Sequence, residues 1–280
     1  MGNSFETVAV VGVGLIGGSI GLALRERKLA TNIIGIGRRK SSLNAALKAG
    51  CITQASLDMA EVAAADLIVV CTPAGMTARI VREVAAANPK AIITDAASTK
   101  QQIVGELDDE VGKGLRFVGS HPLAGNHLAG PTAATADLYD GRQVIVTPTS
   151  ATDESVTADV CEFWQSLGAN VTKMTAEAHD AGLATTSHLP HVVASVLAAA
   201  TDEEYLKLVA SGWCDTTRVA AGSVELWHDI LAENRGNVLN ALDNFGKVLD
   251  EFRSALAEGD METVTRLLDQ GKQHRDTVGN

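Results

Sequence analysis

The 280-residue chain contains no run of about 18 apolar residues without charge, the length a membrane-spanning helix needs, so no span is expected. It also lacks a basic excess: 23 Lys and Arg stand against 34 Asp and Glu, a formal net charge of -11 at pH 7. Nucleic-acid phosphates require positive charge gathered on some face, and the cluster Arg38-Arg39-Lys40 is too short to supply it, so no nucleic-acid partner is expected. The four cysteines (Cys51, Cys71, Cys161, Cys214) are scattered, without C-x-x-C spacing, and the first residues have no charged-then-apolar leader pattern. They read as reduced thiols of a cytoplasmic protein. No repeat with a period of about 20 to 50 residues is present, which excludes solenoids and propellers.

What is there is a soluble globular composition, 46% hydrophobic and 20% charged, on a chain long enough for two domains. Short β-branched runs alternate with helix-length segments in the first half, the pattern of a parallel sheet flanked by helices. Strands are expected at 7–11, 32–36, 67–71, 91–95, 117–119 and 144–147. After Thr147-Pro148-Thr149 a helix (153–167) and a brief strand (170–174) lead into almost unbroken helix-forming sequence. The expected fold class is α/β, a Rossmann-like dinucleotide-binding domain over 1–150 followed by a mainly helical domain over 151–280. Leu239, Leu242, Phe245, Leu249, Phe252 and Leu256 recur three or four apart, marking a stripe that belongs to a core or to a subunit interface.

The apolar run Val8-Ala9-Val10-Val11 is followed directly by Gly12-x-Gly14-x-x-Gly17. Gly12 permits a tight strand-to-helix turn, Gly14 leaves bare backbone for a pyrophosphate, and Gly17 lets the next helix pack closely, with Leu15 and Ile16 at that helix's positive end. An NAD-preferring site would place a carboxylate about 20 residues past the glycines. Here the second strand ends in Gly37-Arg38-Arg39-Lys40-Ser41 instead. Arg38, Arg39 and Ser41 suit a 2′-phosphate, because guanidinium donors match phosphate oxygens, so NADP is favoured over NAD. Ligands of open parallel sheets sit beyond the carboxyl ends of strands. That brings Cys71-Thr72-Pro73 and Ser98, each following a strand, to the cofactor.

A redox enzyme of this design needs a group to exchange the alcohol proton. His121, in Gly119-Ser120-His121-Pro122-Leu123-Ala124-Gly125, follows a strand and titrates near neutrality, so it can take a hydroxyl proton as hydride leaves. A structural loop histidine is the alternative. His188 and His191 project from one side of a helix; with no third ligand nearby, no metal site is expected, and they either line a substrate pocket or find hydrogen bonds in the core. Arg218 could clamp a substrate carboxylate by bidentate pairing.

Together these segments resemble the prephenate and arogenate dehydrogenases, the cyclohexadienyl dehydrogenases of tyrosine synthesis. The likeness runs over V-G-x-G-L-I-G-G-S at 11–19, C-T-P at 71–73, T-D-A-A-S-T-K at 94–100, G-S-H-P-L-A-G at 119–125, A-E-A-H-D at 176–180, S-H-L-P-H at 187–191 and D-T-T-R at 215–218, followed by Trp227. It implies a helical domain that also forms a homodimer, and an oxidative decarboxylation of prephenate or arogenate. By the resemblance, His121 accepts the 4-hydroxyl proton, and Ser98 hydrogen-bonds His121 or that hydroxyl. Arg218 pairs with the ring carboxylate, and His188, His191, Trp227 and Asp215 contribute to the pocket, the last two within or across subunits. Where many relatives carry an acidic residue after H-P-x-A-G, this chain reads Gly125-Asn126-His127, which places His127 among the substrate contacts and leaves prephenate against arogenate open; the basic turn at 38–41 tilts toward arogenate. No regulatory domain is expected within this length. The rival readings are another NADP-dependent hydroxyacid dehydrogenase or imine reductase, for which Lys100 is the lysine to test, and a non-catalytic NADP-binding sensor.

Overall fold

The computed structural model describes residues 5–125 and 128–279. Eight strands form one sheet: β1 (Phe5–Val11), β2 (Ala30–Ile36), β3 (Gln54–Ser56), β4 (Leu67–Val70), β5 (Ile92–Asp95), β6 (Phe117–Pro122), β7 (Gln143–Thr147) and β8 (Asn170–Lys173). Their order is β3-β2-β1-β4-β5-β6-β7-β8, and the strands from β3 to β6 are mutually parallel. Five helices flank the sheet: α1 (Leu15–Glu26), α2 (Lys40–Lys48), α3 (Ala74–Ala87), α4 (Gln101–Val111) and α5 (Glu154–Ser166).

Both faces of the sheet are covered, which is why its central strands read as unbroken apolar runs rather than as alternations. The two-residue period then sorts β1: Val8 and Val10 join one core layer with Ile20 and Leu24 of α1 and Phe163 and Trp164 of α5, whereas Ala9 and Val11 join the other with Val81 and Val84 of α3 and Leu107 of α4.

Two expectations change. The sheet is mixed, because β7 runs antiparallel to β6 and β8 runs parallel to β7. Parallel neighbours need a crossover that carries the chain back to the starting edge, commonly through a helix. The connection between β6 and β7 instead lies over α1, where the Tyr139 hydroxyl donates to the Ile16 carbonyl at 2.7 Å and the Thr135 amide to Ser19 Oγ at 3.1 Å, and it re-enters at the end where it left. The sheet also outlasts the expected division at 150/151: α5 supplies core to it and β8 is its edge, so the first unit runs through Lys173.

Beyond it the chain is helical: α6 (Ala176–Leu183), α7 (Leu189–Ala199), α8 (Ser211–Thr217), α9 (Val224–Glu233), α10 (Arg235–Glu258) and α11 (Met261–Val278). A π-helical turn, Ala184–His188, joins α6 to α7, with Pro190 in the first turn of α7, where a missing N–H costs nothing. Among the described residues no helix is long and apolar enough to cross a membrane.

Candidate active site

The turn after β1 opens a cleft lined by Gly12, Gly14 and Gly17, by Thr72 and Pro73 after β4, by Ser98 after β5, and by His121 on β6. Leu15, Ile16 and Cys71 line it as well. Gly12 has φ +98°, and a Cβ there would stand 2.5 Å from the Cys71 carbonyl oxygen, so only glycine closes this turn. A Cβ on Gly17 would meet the Gly12 carbonyl oxygen at 2.4 Å, whereas one on Gly14 would meet nothing within 4 Å. The backbone at Gly14 therefore faces open space at the start of α1, where no side chain caps the helix and its first amides are available to an anion. The Thr72 hydroxyl is buried with no hydrogen-bond partner among the described residues. An anion-ready helix start, a bare glycine cradle and an unspent hydroxyl fit a nicotinamide dinucleotide.

At the outer end of β2, Arg38, Arg39 and Ser41 are exposed, and neither guanidinium pairs with a carboxylate among the described residues. Across the cleft, α9 contributes Leu226, Asp229 and Ile230, which the sequence reading did not single out.

His121 is buried at the rim, and its Nδ1 lies 2.8 Å from His179 Nε2. Burial first, then the neighbouring His179, Lys100 and His188, hold its pKa well below the ordinary 6.5, so the ring is neutral. His179 Nδ1 in turn lies 2.7 Å from Asp180 Oδ1. Asp180 also accepts the amides of Lys100 (2.8 Å) and Gln101 (2.9 Å), which caps α4 with a carboxylate from α6. Burial works to raise the Asp180 pKa, but these three donors outweigh it and keep the carboxyl below its ordinary range. Lys100 is fully buried and paired with Asp95, which further accepts the amides of Ala97 and Ser120. Lys100 is thus committed to a buried ion pair and is absent from the cleft lining, contrary to what a catalytic lysine would require.

The remaining expected site residues fall in different places. Ser98 lines the cleft, but it makes no hydrogen bond to His121, whose Nδ1 is taken by His179. Like His191 and Trp227, His188 lies outside the lining of the cleft that holds His121; it is buried, with Nδ1 3.1 Å from Asn234 Nδ2. Burial pushes its pKa down to about 4. His191 is also buried, its ring stacked on Trp227 at 3.6 Å and 11°, with Nδ1 unpartnered among the described residues. Asp215 and Arg218 are exposed, on α8 and on the 3-10 turn Arg218–Ala221 that follows it, and neither lines the cleft with His121. His127 lies outside the described residues.

The sequence reading did not single out His179, Asp180 or Asn234. The first two lie in the A-E-A-H-D segment, facing the core from an alanine-rich helix, and Asn234 carried no such signal.

Residues 20–173 match the model of the prephenate dehydrogenase nucleotide-binding domain, and residues 175–270 match that of the prephenate dehydrogenase dimerization domain. The chain belongs to the prephenate dehydrogenase family. Members of this family are NAD(P)-dependent oxidoreductases, and this chain is one. It is 33% identical to the prephenate dehydrogenase of Bacillus subtilis over 97% of its own length and 76% of that protein's. It is 32% identical to the cyclohexadienyl dehydrogenase of Zymomonas mobilis, covering 91% of this chain and 90% of that one. Among solved structures, Aquifex aeolicus prephenate dehydrogenase in complex with hydroxyphenyl propionate and NAD+ superposes with a TM-score of 0.91 at 31% identity, over 98% of this chain and 99% of that chain.

Proposed function

We propose that this prephenate dehydrogenase family member carries out the oxidative decarboxylation of a cyclohexadienyl substrate in tyrosine synthesis, with His121 as the acceptor of the 4-hydroxyl proton. The observation that carries the reading is the placement of a buried, neutral imidazole in the same cleft as the glycine turn and the first amides of α1. A nicotinamide bound in that cleft supplies the hydride acceptor. Gly12, Gly14, Leu15, Ile16 and Gly17 would seat its pyrophosphate, and Cys71, Thr72 and Pro73, which line the same cleft, would help to hold it. The substrate's hydroxyl proton passes to His121 Nε2 as hydride leaves the carbon that bears the hydroxyl. The bond to the ring carboxylate breaks, carbon dioxide departs, and its electron pair completes the aromatic ring, leaving the former carbonyl oxygen as a phenolate that takes the proton back from His121. Aromatisation supplies the driving force, so the protein's task is alignment of proton acceptor and hydride path.

Ser98, which lines the same cleft as His121 and makes no hydrogen bond to its ring, is suited to the substrate hydroxyl. Arg218, exposed and without a carboxylate partner among the described residues, is suited to the ring carboxylate, with Asp215 close to it in sequence. His191 and Trp227 form a wall of the substrate pocket, and His127 is the remaining contact we assign there. Arg38, Arg39 and Ser41 favour NADP, with NAD as the weaker cofactor, and the same basic turn leads us to arogenate over prephenate. The match to a dimerization domain and the exposed stripe on α10 support a homodimer of a cytoplasmic enzyme.

The test is reduction of nicotinamide by the purified protein, offered prephenate and arogenate separately, each with NAD and with NADP. Turnover in any pair establishes the reaction, and arogenate with NADP is the expected best pair. Silence in all four from protein that binds NADP would remove the assignment.

A further inference from the structure

Behind His121 stand a fully buried histidine and a fully buried aspartate that the reaction as described does not use. Their hydrogen bonds fix one another in sequence. The Asp180 carboxylate is an acceptor only, and its oxygens already take the amides of Lys100 and Gln101. His179 Nδ1, 2.7 Å from Asp180 Oδ1, must therefore carry a proton. A neutral imidazole has one donor and one acceptor nitrogen, so His179 Nε2 is the acceptor and His121 Nδ1, 2.8 Å away, is the donor. His121 is left with an unprotonated Nε2, the form a base needs. The other tautomer of His121 would set two bare nitrogens against each other inside the protein, an arrangement no water relieves.

The frame holding this chain is rigid. Asp180 sits between the start of α4 and Asn234, whose Nδ2 donates to the Asp180 carbonyl at 2.7 Å. Asn234 Oδ1 accepts from Asn237 Nδ2 at 2.8 Å, which fixes the orientation of the amide. Both Asp180 and His179 are excluded from solvent, so neither can turn outward to find other partners. A plain helix cap needs the carboxylate but not the histidine between it and the cleft.

We propose that His179 and Asp180 are positioning residues that hold His121 as the Nδ1–H tautomer and take up its positive charge after proton transfer. The proposal rests on His121 being the proton acceptor. As the substrate O–H bond breaks, the proton bonds to His121 Nε2. The Nδ1 proton of His121 then passes to His179 Nε2, leaving His121 neutral and His179 as an imidazolium against the Asp180 carboxylate. That moves the positive charge one residue away from the cleft. Once carbon dioxide has departed, the proton returns along the same bond to His121 Nδ1, and His121 Nε2 gives its proton back to the phenolate oxygen, so the reaction releases no net proton. No electrons enter or leave the relay, and Asp180 remains ionised throughout.

Two measurements test it. In nitrogen-15 imidazole spectra of the unliganded wild-type protein at neutral pH, with His121 assigned by its absence in His121→Asn, the proton is expected on Nδ1. A proton on Nε2 overturns the proposal, whether or not the enzyme turns over its substrate. In kinetics, His179→Phe removes the acceptor and should lower kcat by about 10²-fold, with Michaelis constants for both substrates within about threefold. His179→Gln offers Oε1 to the His121 N–H, keeping the tautomer but not the relay, and should recover much of that loss. Equal loss in both variants, or loss in the Michaelis constants alone, would reduce the pair to structural support. A His179→Phe chain that fails to fold leaves the tautomer spectrum and the glutamine variant to decide. A wild type inactive toward every cyclohexadienyl substrate sinks the reaction, and the spectrum still reports on the pair.

Discussion

The two halves of the chain bury different things. In the nucleotide-binding half, two apolar layers fill both faces of the sheet, with Ile20, Leu24, Leu67, Ile68, Phe163 and Trp164 almost wholly enclosed. In the helical half the fully buried cluster is Ala184, Val238 and Ala241, whereas Leu249 and Leu256 of α10 are 54% and 53% exposed. Beside its small, scattered apolar residues that half buries a group of polar ones: His179, Asp180, His188, His191 and Asn234. A sheet domain of this kind owns its core. The helical half draws its order from docking onto the first half through a hydrogen-bonded seam and, on our reading, from a second copy of itself; the proton acceptor we propose lies on that seam.

The comparison breaks most visibly at the exposed stripe. Placing charge at its centre, Phe245→Glu with Leu249→Glu, should weaken self-association by about 10³-fold or more, the scale of losing central apolar anchors. Sedimentation would then show a monomer whose nucleotide-binding half remains folded, and a dimer undisturbed by both charges would return the stripe to ordinary surface.

Next in size is the seam. His121→Asn should cut kcat by about 10²-fold or more, as expected when a general base is lost, while cofactor affinity, measured by fluorescence titration, stays near wild type. Wild-type-like turnover would take His121 out of the role. Confined wholly to the first half, replacing Arg38 and Arg39 by neutral residues should weaken NADP by about tenfold or more relative to NAD, since each lost charge-assisted bond to phosphate is worth about 1.5–3 kcal/mol. Equal losses for the two cofactors would leave the guanidiniums as solvated charge.

The same division governs how much could be read from the sequence. The glycine turn was legible because its constraints are local: Gly12 needs a positive φ and Gly17 a close approach, and both are written in spacing. The strand β3, three residues with no apolar run, was not legible, nor was the reversal of β7, which depends on where Tyr139 and Ser19 anchor the preceding connection. The early domain boundary had the same cause, because α5 and β8 look like any helix and strand until their partners are known. At the site, His121 stood out by the Pro and Gly around it. His179 and Asp180 did not, because their meaning comes from residues 58 and 80 positions away in the chain.

The smallest effect expected concerns the acid side. Burial depresses the pKa of His188 from 6.5 to about 4, and those of His121 and His191 in the same direction. The unfolded chain therefore binds protons first as pH falls, so the stability that neutral His188 contributes is full above 6.5 and is lost as pH drops from there to about 4, with the other two rings acting in the same sense. Around His188, Asp180 opposes the depression while His179 and His191 add to it. Each ring changes stability by at most about 1.4 kcal/mol per pH unit across its window. The thermal midpoint should hold steady at neutral pH and decline through this range, before the Asp180 carboxylate, depressed below 3.8, begins to titrate. In His188→Gln, which stays neutral at every pH, the decline should be shallower. An unchanged slope would mean that the seam admits a proton at His188 without loosening, and that its order comes from packing against the sheet rather than from its neutral imidazole.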